Sequence, residues 1–352
     1  MKTKKSFPPL SDYSEVMLKL LASPNIASKI WVYGQYDHEV GIRTVVKPGY
    51  DASVLRLDNG KFLSIKIDGN PKQCYINPRE GAIGCFEEAC RNVVCTGAKP
   101  IGMLDHLQFG NPRDPEIFWT FLESLNGLTD FAKDFEIPCI GGKVSLYNET
   151  PKGSIKPTPV IGVIGLIDKK PLRVQKVNTD DCLIMIGNTK DELGGSEYSE
   201  YIHKFIGGKC PAVDFSESKK NMNAVLELIE TELIKSAHDC SKGGLAVAVS
   251  ELCMTNLIGC TVSLDDVPGD KMDADKILFS ESHSRYLVTF ERKNLQNLEE
   301  LLKKHNVSFK TIGGFGGESI RFTDNSKSLI DLSVDKAQKT WLNSLKEMVM
   351  HA

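Results

Sequence analysis

Apolar positions divide the chain into stretches of period two and stretches of helical period. Val54-Leu55-Arg56-Leu57 alternates and stops at Asp58-Asn59-Gly60, and Lys61-Phe62-Leu63-Ser64-Ile65-Lys66-Ile67 then alternates again. Two alternating runs around Asn-Gly predict a β-hairpin. Over residues 80–96 the period changes. Ala82, Phe86, Ala89, Cys90 and Val93 recur at helical spacing, with Glu87, Glu88 and Arg91 off that face and Gly97 as the stop. Residues 115–136 predict a second amphipathic helix. Pro115 suits its first turn, and Ile117, Phe118, Phe121, Leu122, Leu125, Leu128 and Phe131 form its core-facing stripe. Pro138-Cys139-Ile140 starts a strand, and residues 160–167 read as a buried one.

Beyond a loop signalled by Pro151, Gly153, Pro157 and Pro159, a boundary is expected near residues 168–180. The second part reads as a strand at Cys182–Ile186, helices near 217–235 and 245–255, a strand at Arg285–Phe290, a helix over 293–305 and two short closing strands. Strands and helices in both parts predict an α+β fold of α/β layers. The division is 1–30 as an N-terminal linker and helix, 31–168 as one domain and 169–352 as another. The strands within 51–68 are expected to leave an unpaired edge.

Composition narrows the class. Of 352 residues, 41% are hydrophobic and 25% charged, as in a soluble globular protein. With 43 basic and 46 acidic residues the formal charge is −3, which gives no bulk electrostatic footprint for nucleic acid. No apolar run approaches the roughly 18 residues of a membrane span. The basic start Met1-Lys2-Thr3-Lys4-Lys5-Ser6 is followed by no apolar signal core, and a cytoplasmic location is expected. Ten cysteines include no Cys-x-x-Cys pair, and Cys85, Cys90 and Cys95 step roughly 140° around a helix. They are expected to be buried free thiols.

The candidate chemistry falls just after apolar runs, where α/β folds hold ligands. Asp68 and Asp105 are each expected to end a strand, where a carboxylate either holds Mg²⁺ beside a phosphate or caps a turn. Gly141-Gly142-Lys143 allows close backbone approach to a phosphate, with Lys143 as a point charge, or is a tight turn. Ser145 suits hydrogen bonding to a ligand better than nucleophilic catalysis, since no His/Asp partner pattern accompanies it. His238-Asp239-Cys240-Ser241-Lys242-Gly243-Gly244 precedes a helix. Its amides suit an anion, or Asp239 or Ser241 caps the loop.

Ordered segments carry a resemblance. They include Gln35-Tyr36-Asp37-His38-Glu39-Val40, Val46-Lys47-Pro48-Gly49-Tyr50-Asp51-Ala52, Ala89 to Ala98, Phe109-Gly110-Asn111-Pro112, Asp191 to Tyr198, Ala237-His238-Asp239 and Ser280-Glu281-Ser282. Through them the chain resembles the C-terminal half of the small-type phosphoribosylformylglycinamidine synthase family (PurL), related to aminoimidazole ribonucleotide synthetase. The resemblance implies one PurM-like A domain, which pairs with another into a barrel, and one PurM-like B domain. It implies an ATP- and Mg²⁺-dependent reaction that converts formylglycinamide ribonucleotide to its amidine with ammonia from glutamine. Implied partners are an N-terminal PurL half or a second copy, the glutaminase subunit PurQ and the small subunit PurS. Met1 directly ahead of second-half sequence points to a separately encoded subunit.

Residue by residue, the resemblance implies that Asp105 and Gly142 contact ATP and that Ser145 contacts substrate. Lys143 replaces the family's magnesium-binding Asn and becomes a phosphate contact. Lys242 stands where many relatives carry Asp. Asp68, Asp239 and Glu281 are further candidates. The family's catalytic His belongs to the half not represented here. Two alternatives stay open: a homodimeric enzyme of the same superfamily, and a non-catalytic scaffold with a structural nucleotide.

Overall fold

The computed structural model describes residue 7, residues 12–172 and residues 176–351; the basic segment at residues 1–6 lies outside them. Strands β1 (Thr44–Val46), β2 (Ser53–Arg56), β3 (Phe62–Asp68), β4 (Lys99–Gln108), β5 (Cys139–Ser145) and β6 (Thr158–Ile167) form one sheet in the order β1-β2-β3-β6-β4-β5. Only the β4–β5 pair is parallel. The β2–β3 hairpin forms as its alternation predicts, with Arg56 opposite Phe62 and Val54 opposite Ser64. The expected free edge within 51–68 is not there. β2 lies between β1 and β3, and β3 between β2 and β6, so the edges are β1 and β5. The partners come from a three-residue strand ahead of the hairpin and from a strand nearly 100 residues downstream, which local periodicity does not reveal.

One face of this sheet is covered by α3 (Pro78–Val94) and α4 (Pro115–Asp134), which follow α1 (Tyr13–Leu21) and α2 (Pro71–Ile76) in the chain. Helix α3 starts where the Asn77 side chain accepts the Glu80 amide and Pro78 fills the first turn. It is buried on nearly every side: Glu87, Glu88 and Arg91, which the sequence sets off the apolar face, are as buried as Phe86 and Val93. The cause is that α3 packs on β3 and β6 on one side and on the second layer on the other. In α4 the correction runs the other way. Leu128 and Phe131 are buried, but Phe118 and Leu122, placed on the core stripe, are exposed.

The second sheet contains β7 (Asp181–Ile186), β8 (Ser236–Asp239), β9 (Cys260–Ser263), β10 (Tyr286–Glu291), β11 (Phe309–Phe315), β12 (Ser319–Asp324) and β13 (Lys327–Ser333), in the order β8-β10-β7-β11-β9-β12-β13. Helices α5 (Phe215–Glu230), α6 (Gly244–Asn256), α7 (Leu295–Lys304) and α8 (Val334–Met350) accompany it. Three strands, not two, follow α7, and α8 escapes the apolar pattern because only Val334 and Ala337 of it are buried. One core cluster joins Val54, Phe86, Val93 and Ile161 to Val225, Leu228 and Val288, so the two layers share packing through α3 and α5. Helix α1 adds Met17, Leu20 and Leu21 to a second cluster built on α6, β12 and β13.

Among the described residues, the other face of the first sheet carries no helix. Leu63, Ile65, Val160, Ile164 and Leu166 are half-buried there, and Ile67, Leu104 and Ile140 are exposed. Leu104 touches the position a side chain would take at Gly141 and at Gly162, so these residues share one surface. A contiguous apolar sheet face of this kind marks an interaction site.

Candidate functional site

At the β5 edge the parallel ladder sets Asp105 opposite Gly142, His106 opposite Lys143 and Gln108 opposite Ser145. Asp105 lies within β4 and does not end a strand, because the ladder with β5 and β6 continues to Gln108. A Cβ on Gly142 would come within 2.5 Å of Asp105 Oδ1. The absence of a side chain at Gly142 therefore leaves the carboxylate its place at the sheet edge. Alternation along a strand sends Lys143 to the opposite face from Gly142 and Asp105, toward the uncovered apolar surface. Lys143 is exposed and makes no ion pair among the described residues. The thiol of Cys139 is 3.7 Å from Asp105 Oδ2. It is the one exposed cysteine; the other nine are buried, and all ten are free.

Ser145 is positioned by its neighbours. Asn148 Nδ2 donates to the Ser145 carbonyl at 2.9 Å, to Ser145 Oγ at 3.2 Å and to the Phe109 carbonyl at 3.1 Å. Backbone bonds from Phe109 to Ser145 and from Tyr147 to Gly110 tie the Phe109-Gly110-Asn111-Pro112 turn to the end of β5. Asp105, Gly142, Lys143 and Ser145 thus form one edge: a carboxylate on one face, and a cation and a hydroxyl on the other.

Asp68 and Asp239 belong elsewhere. They line a cavity of about 370 Å³ between the two layers, together with Asp51, Glu88, His238 and Lys242. Asp68 ends β3, as its sequence position predicts. Lys242 Nζ donates to Asp68 Oδ1 and to Glu88 Oε1, each at 2.9 Å. Burial works against an ionised Glu88, but the Lys242 ammonium outweighs it and holds the carboxyl below its usual range. Burial and the neighbouring Glu88 push the Asp68 carboxyl up. His238 Nδ1 lies 2.9 and 3.0 Å from the Asp51 oxygens, and its Nε2 is 3.1 Å from Glu251 Oε2. Burial opposes charging of His238, yet the flanking carboxylates raise it well above the ordinary imidazole range, and Asp51 falls to about 2. Asp239 pairs with Arg91 Nη2 at 3.3 Å.

Glu281 lies apart from both sites. It is buried, and its Oε1 accepts the amides of Glu197 and Gly243 at 2.8 Å each. It anchors two loops, and burial pushes its carboxyl up to about 7. Sequence reasoning missed Asp51, Glu88 and Arg91 as site residues. An acid-rich helix with no exposed face was the available signal, and helical period alone does not separate a solvent-facing acid from one facing a second layer.

One group among the described residues has metal-ligand spacing: Asp51, His238 and Asp239, whose ligand atoms lie within 4.8 Å of one another. Both His238 nitrogens already face carboxylates, which favours a protonated ring that cannot ligate. At the β5 edge the structure offers Mg²⁺ one carboxylate, Asp105. That fits an ion held mainly by ligand phosphates. Among the described residues no helix is long and apolar enough to cross a membrane.

Comparison with known proteins shows the family. Residues 49–167 match the AIR synthase related protein N-terminal domain family, and residues 178–324 the corresponding C-terminal domain family. The phosphoribosylformylglycinamidine synthase subunit PurL of Alkaliphilus metalliredigens is 41% identical over 97% of this chain and 46% of its own length. That of Methanocaldococcus jannaschii is 42% identical over 96% of this chain and 47% of its own. The chain spans about half the length of these curated relatives. In fold it is similar to T. maritima PurL complexed with FGAR, at a TM-score of 0.77 and 20% identity, covering 94% of this chain and 54% of that one. A chain of the HypE–HypF complex aligns at a TM-score of 0.59 and 15% identity, over 80% of this chain and 92% of that one. The chain belongs to the AIR synthase related family and aligns over nearly its whole length with about half the length of phosphoribosylformylglycinamidine synthase PurL subunits.

Proposed function

We propose that this chain is the C-terminal half of an ATP-dependent phosphoribosylformylglycinamidine synthase, working in the cytoplasm on de novo purine synthesis. The observation that carries the reading is the polar edge Asp105–Gly142–Lys143–Ser145 at the margin of an apolar sheet face that leaves Ile67, Leu104 and Ile140 exposed. In this reading the face pairs with the A domain of an N-terminal PurL half. The nucleotide lies along β5, with backbone approach at Gly142 and Asp105 beside the phosphates and their Mg²⁺. Ser145 and Lys143 meet the substrate from the other face.

The reaction has two steps. The amide oxygen of formylglycinamide ribonucleotide attacks the γ-phosphorus of ATP, giving an iminophosphate and ADP. Ammonia then adds to the activated carbon, phosphate leaves and a proton is lost, giving the amidine. Lys143 offsets negative charge where the family has a metal-binding Asn. The acid–base group comes from the N-terminal half, ammonia from PurQ, and assembly is supported by PurS. The T. maritima PurL structures with FGAR and with ATP support the ligand classes, and PurLQS supports the partners.

A scaffold role with a structural nucleotide is the second reading, favoured by the loss of a metal-ligating side chain at Lys143. Sedimentation of the chain with and without an N-terminal PurL half tests the proposal. A stable heterodimer is expected, and two non-interacting species would overturn it.

A further inference from the structure

The cleft between the layers gathers five carboxylates, from Asp51, Asp68, Glu88, Asp239 and Glu251. Such a gathering normally calls for a bound cation, since uncompensated buried carboxylates are costly. Here each one faces a cation of the chain itself. His238 lies between Asp51 and Glu251. Arg91 reaches Asp239 from α3. Lys242 reaches across the joint from the loop ahead of α6 and divides its protons between Asp68 on β3 and Glu88 on α3. All three cations join one layer to the other.

The Lys242 ammonium stands between two carboxylates, as a bridging cation would. Its ammonium is equidistant, at 2.9 Å, from one oxygen of each of two acids supplied by different elements. Both acids are buried, and nine-tenths or more of each side chain is out of solvent. A divalent ion bridging the same two oxygens would need that space, and the ammonium excludes it. Lysine also brings a flexible stem tethered to the second layer. The bridge therefore forms whenever the layers dock and does not depend on metal in solution.

We propose that Lys242 is a built-in counter-ion filling a divalent-cation position between Asp68 and Glu88, so that the joint between the two layers is metal-independent. The inference does not depend on the activity proposed above. It concerns only how the full chain holds its layers together.

Mn²⁺ binding to the full chain, followed by electron paramagnetic resonance, and melting with Mg²⁺ or with EDTA, test it. The parent is expected to melt at the same temperature in both solutions, and Glu88→Gln alone to leave the number of bound Mn²⁺ ions unchanged. Lys242→Ala is expected to gain one Mn²⁺ equivalent, bound about tenfold or more tighter than any residual binding at the parent's cleft. Its melting temperature should fall in EDTA and recover in Mg²⁺, and Lys242→Ala combined with Glu88→Gln should lose the gain. The inference fails if Lys242→Ala gains no equivalent. The parent gives an independent check that needs no Lys242 variant to fold: loss of a bound Mn²⁺ on Glu88→Gln would show that metal already occupies the cleft.

Discussion

Gly142 stands opposite Asp105 in the parallel β4–β5 ladder, so close that a single methyl on it would lie 2.5 Å from the Asp105 carboxylate. The glycine thus determines where that carboxylate points. Gly142→Ala should swing Asp105 away without disturbing the core, since β5 is an exposed edge. Nucleotide affinity should fall about tenfold, which is about 1.4 kcal/mol. The melting temperature should stay near the parent's. Calorimetric titration of ADP beside a thermal melt checks both, and unchanged affinity would mean the nucleotide does not use this edge.

Lys143 is exposed at the edge of the apolar face and makes no ion pair among the described residues. Removing a charge-assisted contact costs roughly 1.5–3 kcal/mol. Lys143→Ala should therefore weaken substrate or nucleotide binding about tenfold or more in the assembled complex, with stability unchanged. Lys143→Asn should restore binding with a steeper magnesium dependence, because an amide oxygen can ligate the ion. Titrations at two magnesium concentrations decide. Equal affinity in all three proteins would place Lys143 in solvent.

Leu104 lies in the middle of the apolar face, against Gly141 and Gly162. Leu104→Asp should leave the isolated chain folded and abolish pairing with an N-terminal half, because a specific interface of about 1,200 Å² or more tolerates no buried unpaired charge. Sedimentation of the mixture checks this. A variant that still pairs would move the interface elsewhere.

Glu281 predicts a pH dependence. Its carboxyl stands at about 7 in the fold, against roughly 4.3 in an unfolded chain. The native state then binds more protons between those values, so this group's contribution to stability is full below about 4.3 and is lost as pH rises through 7. Glu281→Gln keeps the oxygen that accepts the Glu197 and Gly243 amides and removes the titration. Its unfolding free energy should decline less between pH 5 and 8 than the parent's, by an amount on the order of 3 kcal/mol. Parallel curves would refute the assignment.

The sequence revealed elements whose signal is local. The β2–β3 hairpin shows in its Asn59-Gly60 turn, and α4 in Pro115 and its apolar period. Asp105 and Gly142 each stood out just after an apolar run, but their pairing did not, since a carboxylate and a glycine 37 residues apart carry no joint pattern. The cleft was least legible. Glu88 and Arg91 look like the wet side of a helix until a second layer packs there, and Asp51 looks like an ordinary strand residue. Lys242 stood out as part of a polar loop ahead of a helix and as a departure from relatives, but its partners Asp68 and Glu88 come from the other layer, more than 150 residues away.

The central claim is that this chain is one half of an ATP-dependent amidine synthase whose acid–base group lies in the other half. Turnover of ATP, ammonia and formylglycinamide ribonucleotide, measured for the chain alone and with an N-terminal PurL half added, tests it most directly. A missing acid–base group costs about 10²–10⁴-fold, so the chain alone should form no detectable amidine, and the added half should restore turnover. Robust amidine formation by this chain alone would contradict the account.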